Sequence, residues 1–157
     1  MTDIRLVHEY PHSPAKVWRA LTDPALMALW MVAARPEGFS AEVGTRFKFV
    51  ARPVPGWRGI VQGEVLEARE PTLFRYSWVD DREDEKTLCS YRLEPLGAGT
   101  RFTFEHTGFK GLGGLVVAKV ITSIRKKMFG VRLPAVLADM DSEGSLRAGS
   151  RLRQPRI

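Results

Sequence analysis

Residues 39–107 alternate between apolar and polar side chains, and this feature most constrains what the chain can fold into. Phe47 and Phe49 alternate with Arg46 and Lys48, and three later segments repeat the same period of two. Such alternation predicts antiparallel strands with one face toward a core and the other toward water. Glycine and proline turn signals separate the segments, so we expect a meander of about six strands.

Residues 112–140 change to helical spacing. The change predicts a long C-terminal helix with a broad apolar stripe. At 1.5 Å per residue the helix would run about 40 Å, which is enough to cross a whole sheet. Pro134 should kink or interrupt it.

The chain begins with a predicted strand at residues 4–10, followed by two helix starts. Ser13-Pro14 and Asp23-Pro24 each place an N-cap residue before a proline at the first helical position. We therefore predict two short helices between the first strand and the meander. The element order predicts an α+β fold, a curved antiparallel sheet of about six or seven strands wrapped around the long helix.

The predicted inner face of the sheet carries many aromatic residues with a few polar tips. A mostly apolar concavity with a few convergent polar groups is typical of a small-molecule site, although the same residues could simply fill a core. The candidate ligand-binding residues are Trp30, Phe47, Phe49, Tyr76, Trp78, Tyr91, Phe102, Phe104 and His106, with Leu115, Val116 and Val120 from the long helix.

Five segments, 17–24, 44–49, 63–67, 91–95 and 99–109, together resemble the bacterial activator-of-heat-shock-protein-90-ATPase-like proteins. These proteins belong to the START/SRPBCC superfamily, which has the helix-grip fold. The resemblance implies a hydrophobic cavity between the sheet and the long helix. It does not fix the function, because the superfamily includes lipid carriers, hormone receptors, polyketide cyclases and a co-chaperone domain.

Three functions stay open on this evidence. The first is non-catalytic binding or carriage of a small hydrophobic molecule, lipid-like or aromatic. The second is a cyclase-type enzyme using His106 and Tyr91, with Cys89 nearby, because a base beside a phenol and a thiol can transfer protons. No inward Asp or Glu on these strands would orient the imidazole, so we expect no catalytic residue. The third, a chaperone cofactor acting through protein contacts, is implied by the resemblance alone.

The net charge of +6 raises the question of nucleic-acid binding. Residues 142–157 carry +3 of it and are predicted to form a disordered basic tail after a helix-grip domain at 1–141. A second basic group is predicted to be a solvated face of the long helix. Its members are Lys119, Arg125, Lys126, Lys127 and Arg132. No nucleic-acid-binding motif accompanies the charge, so specific nucleic-acid binding is not expected.

Cys89 is the single cysteine, which excludes an intramolecular disulfide and a cysteine-based zinc site. Three scattered histidines predict no metal site, and no glycine-rich phosphate motif predicts a cofactor. The sequence shows no apolar run long enough for a signal peptide or a membrane span. We therefore expect a cytoplasmic monomer or weak homodimer whose partner is a small hydrophobic molecule.

Overall fold

The computed structural model describes residues 3–80 and 86–153. Within these residues seven strands form one antiparallel sheet in the order β1-β7-β6-β5-β4-β3-β2. The predicted α+β class and curved sheet are confirmed. The strands are β1 (Ile4–Tyr10), β2 (Ala34–Glu37), β3 (Arg46–Ala51), β4 (Ile60–Arg69), β5 (Leu73–Asp80), β6 (Thr87–Leu96) and β7 (Gly99–Thr107).

The two predicted short helices are confirmed as α1 (Pro14–Thr22) and α2 (Pro24–Trp30). Ser13 Oγ accepts a hydrogen bond from Lys16 N at 3.3 Å, and Asp23 Oδ1 accepts one from Ala25 N at 2.9 Å. Each cap satisfies a backbone N–H that the first helical turn leaves without a partner.

The long C-terminal helix consists of α3 (Gly111–Lys127), a π-helical segment (Met128–Arg132) and α4 (Leu133–Ala138). The predicted interruption near Pro134 takes the form of this widened turn, because proline has no N–H and its ring crowds the preceding turn. Tyr10 Oη donates a hydrogen bond of 2.7 Å to the Phe129 carbonyl and so ties the π-helical segment to β1. None of the helices in the described ranges is long and apolar enough to cross a membrane.

The face that α3 turns toward the sheet differs from the predicted one. The buried residues of α3 are Gly114, Ala118, Ile121 and Arg125. Their spacing of four, three and four residues follows one helical face. A Cβ atom at Gly114 would lie 3.2 Å from the Phe109 carbonyl carbon, so the start of α3 packs closely against the segment that follows β7.

Several large apolar side chains of α3 are instead exposed. Leu115 is 36% exposed and Val116 is 61% exposed, so the prediction that they face the inner surface of the sheet is wrong. The prediction that Arg125 lies on a solvated helix face is also wrong, because this residue is only 3% exposed. Lys126 and Lys127 are exposed as predicted.

Gly63 in β4 permits a close contact with the neighbouring strand. A Cβ atom there would lie 2.5 Å from Phe47 Cζ and 2.6 Å from the Ser77 carbonyl oxygen. The ring of Phe47 thus occupies the space over the glycine. The register shift between β4 and β5 falls beyond this contact, between Val65 and Glu67.

The described part of the predicted tail makes contacts with the rest of the chain. The Asp141 carboxylate accepts hydrogen bonds from Glu143 N and Ser145 N, at 2.9 and 3.0 Å. Arg19 Nε donates a bond of 2.9 Å to the Gly144 carbonyl. Residues 154–157 lie outside the described residues, and the proposed division at residue 141 stays a prediction.

Deleting residues 142–157 should lower the melting temperature by no more than about 5 °C, because exposed or half-exposed hydrogen bonds contribute little to stability. Thermal unfolding followed by circular dichroism measures this. Arg19→Ala, which removes the contact with Gly144 and the partly exposed ion pair with Asp23, is the control and should give a smaller decrease. A decrease of about 10 °C or more on deletion would mean that the segment is an integral part of the domain.

Candidate functional site

A cavity of about 330 Å³ lies between the long helix and the strands β3, β4 and β5. Most of its lining is apolar. The lining residues are Met31, Val32, Ala33, Ala34, Phe49, Ala51, Arg52, Val54, Trp57, Val61, Trp78, Asp80, Val120, Ile121, Ile124, Arg125 and Met128. Ala33 has a φ of 54°, a left-handed conformation that costs about 1 kcal/mol or more for a residue with a Cβ atom.

Three of the twelve predicted ligand-binding residues line this cavity, namely Phe49, Trp78 and Val120. Leu115 and Val116 do not, because α3 directs them toward solvent. The remaining seven, which are six aromatic residues and His106, are buried and lie outside the lining. They are Trp30, Phe47, Tyr76, Tyr91, Phe102, Phe104 and His106.

Several of these seven form an aromatic core around the π-helical segment. The Phe129 ring centroid lies 4.9 Å from that of Phe102 and 5.2 Å from that of Phe104. Trp30 is buried, and its indole N–H donates a 2.8 Å hydrogen bond to the Ala20 carbonyl. The indole N–H of Trp30 thus has its hydrogen-bond partner within the fold. The close ring contacts and the burial show that these residues form the packed core behind the cavity.

Arg125 is the buried charged residue at the cavity that sequence reasoning placed wrongly on a solvated face. Its Nη2 donates to Tyr76 Oη at 2.6 Å and its Nη1 donates to Tyr91 Oη at 3.3 Å. Its Cζ lies 4.6 Å from the Phe104 ring centroid and 5.5 Å from that of Trp78. The guanidinium is thus held among aromatic rings at the wall of the cavity. The only signal in the sequence was its helical spacing from Gly114, Ala118 and Ile121.

The groups that bind Arg125 are neutral at physiological pH. Tyr76 Oη and Tyr91 Oη lie 3.0 Å apart and share a hydrogen bond. Burial raises the pKa of both phenols, and it raises the pKa of the adjacent Cys89 thiol to about 12. The positive charge of Arg125 is therefore held by neutral partners and ring faces.

Trp78 also lines the cavity and brings an indole N–H close to Arg125. Its indole nitrogen is buried, and it has no hydrogen-bond acceptor among the described residues. Buried indole N–H groups ordinarily have a partner. Beside Arg125, Trp78 thus holds a buried indole N–H that has no acceptor among the described residues.

His106 is fully buried and lies opposite Cys89 in the β6–β7 register, as the sequence predicted. Its Nε2 lies 2.7 Å from Thr87 Oγ1, a partner that sequence reasoning did not identify. Burial, followed by the nearby Arg125 charge, lowers the pKa of His106 to about 3. An imidazole with so low a pKa is a weak base, and His106 does not line the cavity.

The described residues contain no group of three or more His, Cys, Asp or Glu side chains that could hold a metal ion. The charged residues of the cavity lining are Arg52, Asp80 and Arg125. The arrangement is suited to bind an apolar molecule with a polar group.

Comparison with protein families places this chain in a known group. Residues 11–120 match the family described as activator of Hsp90 ATPase homolog 1-like protein. The chain belongs to this family. The match covers both short helices, the strands β2 to β7 and the first part of α3, and so confirms the resemblance found in the sequence. Arg125 lies beyond the matched residues.

Solved structures of related proteins share the fold of this family member. Protein MLL2253 from Mesorhizobium loti has 26% sequence identity and a TM-score of 0.76, with 88% of this chain and 98% of that chain covered. CalU16 from Micromonospora echinospora has 22% identity and a TM-score of 0.65, with 87% and 81% covered. Protein CV1439 from Chromobacterium violaceum has 21% identity and a TM-score of 0.69, with 86% and 96% covered. The sequence matches no curated protein.

Proposed function

We propose that the protein binds or carries a small hydrophobic molecule, aromatic or lipid-like, without chemical conversion. The observation that supports this proposal is the apolar cavity between the helix and β3 to β5. Its volume of about 330 Å³ falls within the range of about 300–1,000 Å³ that is typical of small-molecule sites.

The character of the lining supports the same proposal. Protein interiors are packed densely, and few contain voids larger than a water molecule. Atoms that line an unfilled apolar space lose dispersion contacts, which an apolar ligand would restore. The lining contains Phe49, Trp57 and Trp78, whose rings offer flat surfaces to an aromatic or aliphatic ligand.

Filling the cavity should abolish binding without unfolding the protein. Val61 on β4 lines the cavity and is 5% exposed, so Val61→Phe should place its added ring in the empty space. We expect the wild type to bind the neutral fluorescent probe N-phenyl-1-naphthylamine and Val61→Phe to bind it at least about tenfold more weakly. Fluorescence titration measures both affinities.

Val116→Phe is the matched control, because it makes the same substitution at an exposed position outside the lining. This variant should bind the probe as the wild type does. In a close-packed core, Val61→Phe would instead lower the free energy of unfolding by roughly 1–3 kcal/mol. That loss, together with a wild type that does not bind the probe, would show that the space is no ligand site.

A further inference from the structure

We propose that the cavity selects a small organic acid whose carboxylate pairs with Arg125 and whose apolar body fills the remaining space. The proposal rests on the proposed function and specifies its ligand class. Arg125 is 3% exposed and lines the cavity. A buried cation at the wall of a mostly apolar cavity calls for a source of negative charge.

The described protein does not supply that charge to Arg125. Its guanidinium donates hydrogen bonds to two phenols and approaches the Met128 thioether, and it forms no ion pair with any carboxylate among residues 3–80 and 86–153. Asp80, which is 1% exposed, also lines the cavity and has an interaction of its own. The exposed Arg52 completes the charged lining, which carries two positive charges and one negative charge.

An anionic ligand would bind to a cation that is already dehydrated. Burial of a guanidinium is unfavourable, and folding alone imposes that cost on this protein. A carboxylate that enters the cavity loses only its own hydration, and it meets donors that the phenols and rings hold in place. A preorganised site of this kind retains more of the interaction free energy as affinity.

The donors at the wall favour a carboxylate among the small organic anions. The planar guanidinium fork matches the two oxygens of a carboxylate, and charge-assisted hydrogen bonds of this type are the strong ones. The Arg125 Cζ lies 5.5 Å from the Trp78 ring centroid, and both residues line the cavity. A carboxylate has enough lone pairs to accept more than one hydrogen bond from Arg125.

Two probes of nearly the same shape test the proposal. 2-Naphthoate carries a carboxylate, and 2-naphthamide carries a neutral amide in its place. Isothermal titration calorimetry of the wild type at neutral pH should show naphthoate binding roughly tenfold to a hundredfold more tightly than naphthamide. In Arg125→Met that preference should disappear through loss of naphthoate affinity, while naphthamide affinity stays within about threefold of the wild-type value.

Lys126→Met is the matched control, because it removes one positive charge from the next, exposed position of the same helix. It should leave the preference for naphthoate unchanged. Circular dichroism shows whether Arg125→Met is folded. Should it not fold, Arg125→Gln provides the same comparison, since glutamine is neutral and keeps a donor for the phenols.

The outcomes separate this proposal from the proposed function. If the wild type binds N-phenyl-1-naphthylamine and naphthamide but shows no preference for naphthoate, the carboxylate proposal is wrong and hydrophobic binding stands. A preference that persists in the folded Arg125 variants would also contradict it. If none of the three compounds binds, both proposals fail.

Discussion

Arg125→Met should raise the free energy of unfolding, by about 1–4 kcal/mol, although it removes two hydrogen bonds and three close ring contacts. Burial of the guanidinium costs several kcal/mol, and neither a carboxylate nor bulk water offsets this within the described protein. Methionine is flexible and apolar and can occupy much of the same volume. Tyr76 and Tyr91 stay hydrogen-bonded to each other at 3.0 Å, so the substitution leaves both phenols with a partner.

Chemical denaturation of the two proteins measures this difference. Arg125→Lys is a matched variant that keeps the charge but loses the planar fork and the stacking on Phe104, and it should be less stable than the wild type. A decrease in stability of Arg125→Met by more than about 2 kcal/mol would mean that the phenol and ring contacts outweigh the burial cost. Arg125 would then be a structural residue.

If Arg125→Met is more stable than the wild type and also binds naphthoate more weakly, the two results together assign Arg125 a role in ligand binding. Sites that bind polar groups often retain side chains that lower the stability of the folded protein. Arg125 would then be kept in the core for its effect on the ligand. The naphthoate comparison and the unfolding measurement test the two halves of this interpretation independently.

The sheet could be predicted from the sequence because the features that determine its strands lie close together along the chain. Alternation with a period of two assigns each side chain to a face, and a short turn fixes the register of the strands that it joins. The turn at Gly97 and Gly99 thus places His106 opposite Cys89. The edge strand β2 was missed, because it contains Pro36 and pairs only with β3.

The face of α3 could not be predicted from hydrophobicity. This helix has apolar residues around much of its circumference, so the pattern did not distinguish Val116 from Ala118. The choice depends on what lies opposite each residue in the folded protein. Gly114 packs closely against Phe109, and the helical face that carries Gly114 and Ala118 also carries Arg125.

Burial of a positive charge was the least predictable feature of the site. The sequence shows Arg125 beside Lys126 and Lys127, a pattern that usually indicates a solvated face. Its acceptors Tyr76 and Tyr91 lie on β5 and β6, far away in sequence. Only the three-dimensional structure brings these groups together, so the cavity could be anticipated but its polar group could not.

Acid should destabilise the protein through His106. The unfolded histidine has a pKa of about 6.5, whereas the buried one has a pKa of about 3. Between these values the unfolded chain binds a proton that the folded chain does not, so stability falls as the pH decreases through this window. For this one group the expected loss is about 2 kcal/mol at pH 5 relative to neutral pH.

His106→Leu is the control, because leucine does not titrate and fits an apolar environment. Denaturation at about pH 5 and at neutral pH should show a smaller pH-dependent loss in this variant than in the wild type. A residual loss is expected from His8 and His12, whose pKa values burial also lowers. Equal losses in the two proteins, or an NMR titration of His106 with a midpoint near its ordinary pKa of about 6.5, would show that the imidazole is not held neutral. In that case His106 would again be a candidate base for the cyclase-type alternative, since a histidine that titrates near neutral pH can transfer protons.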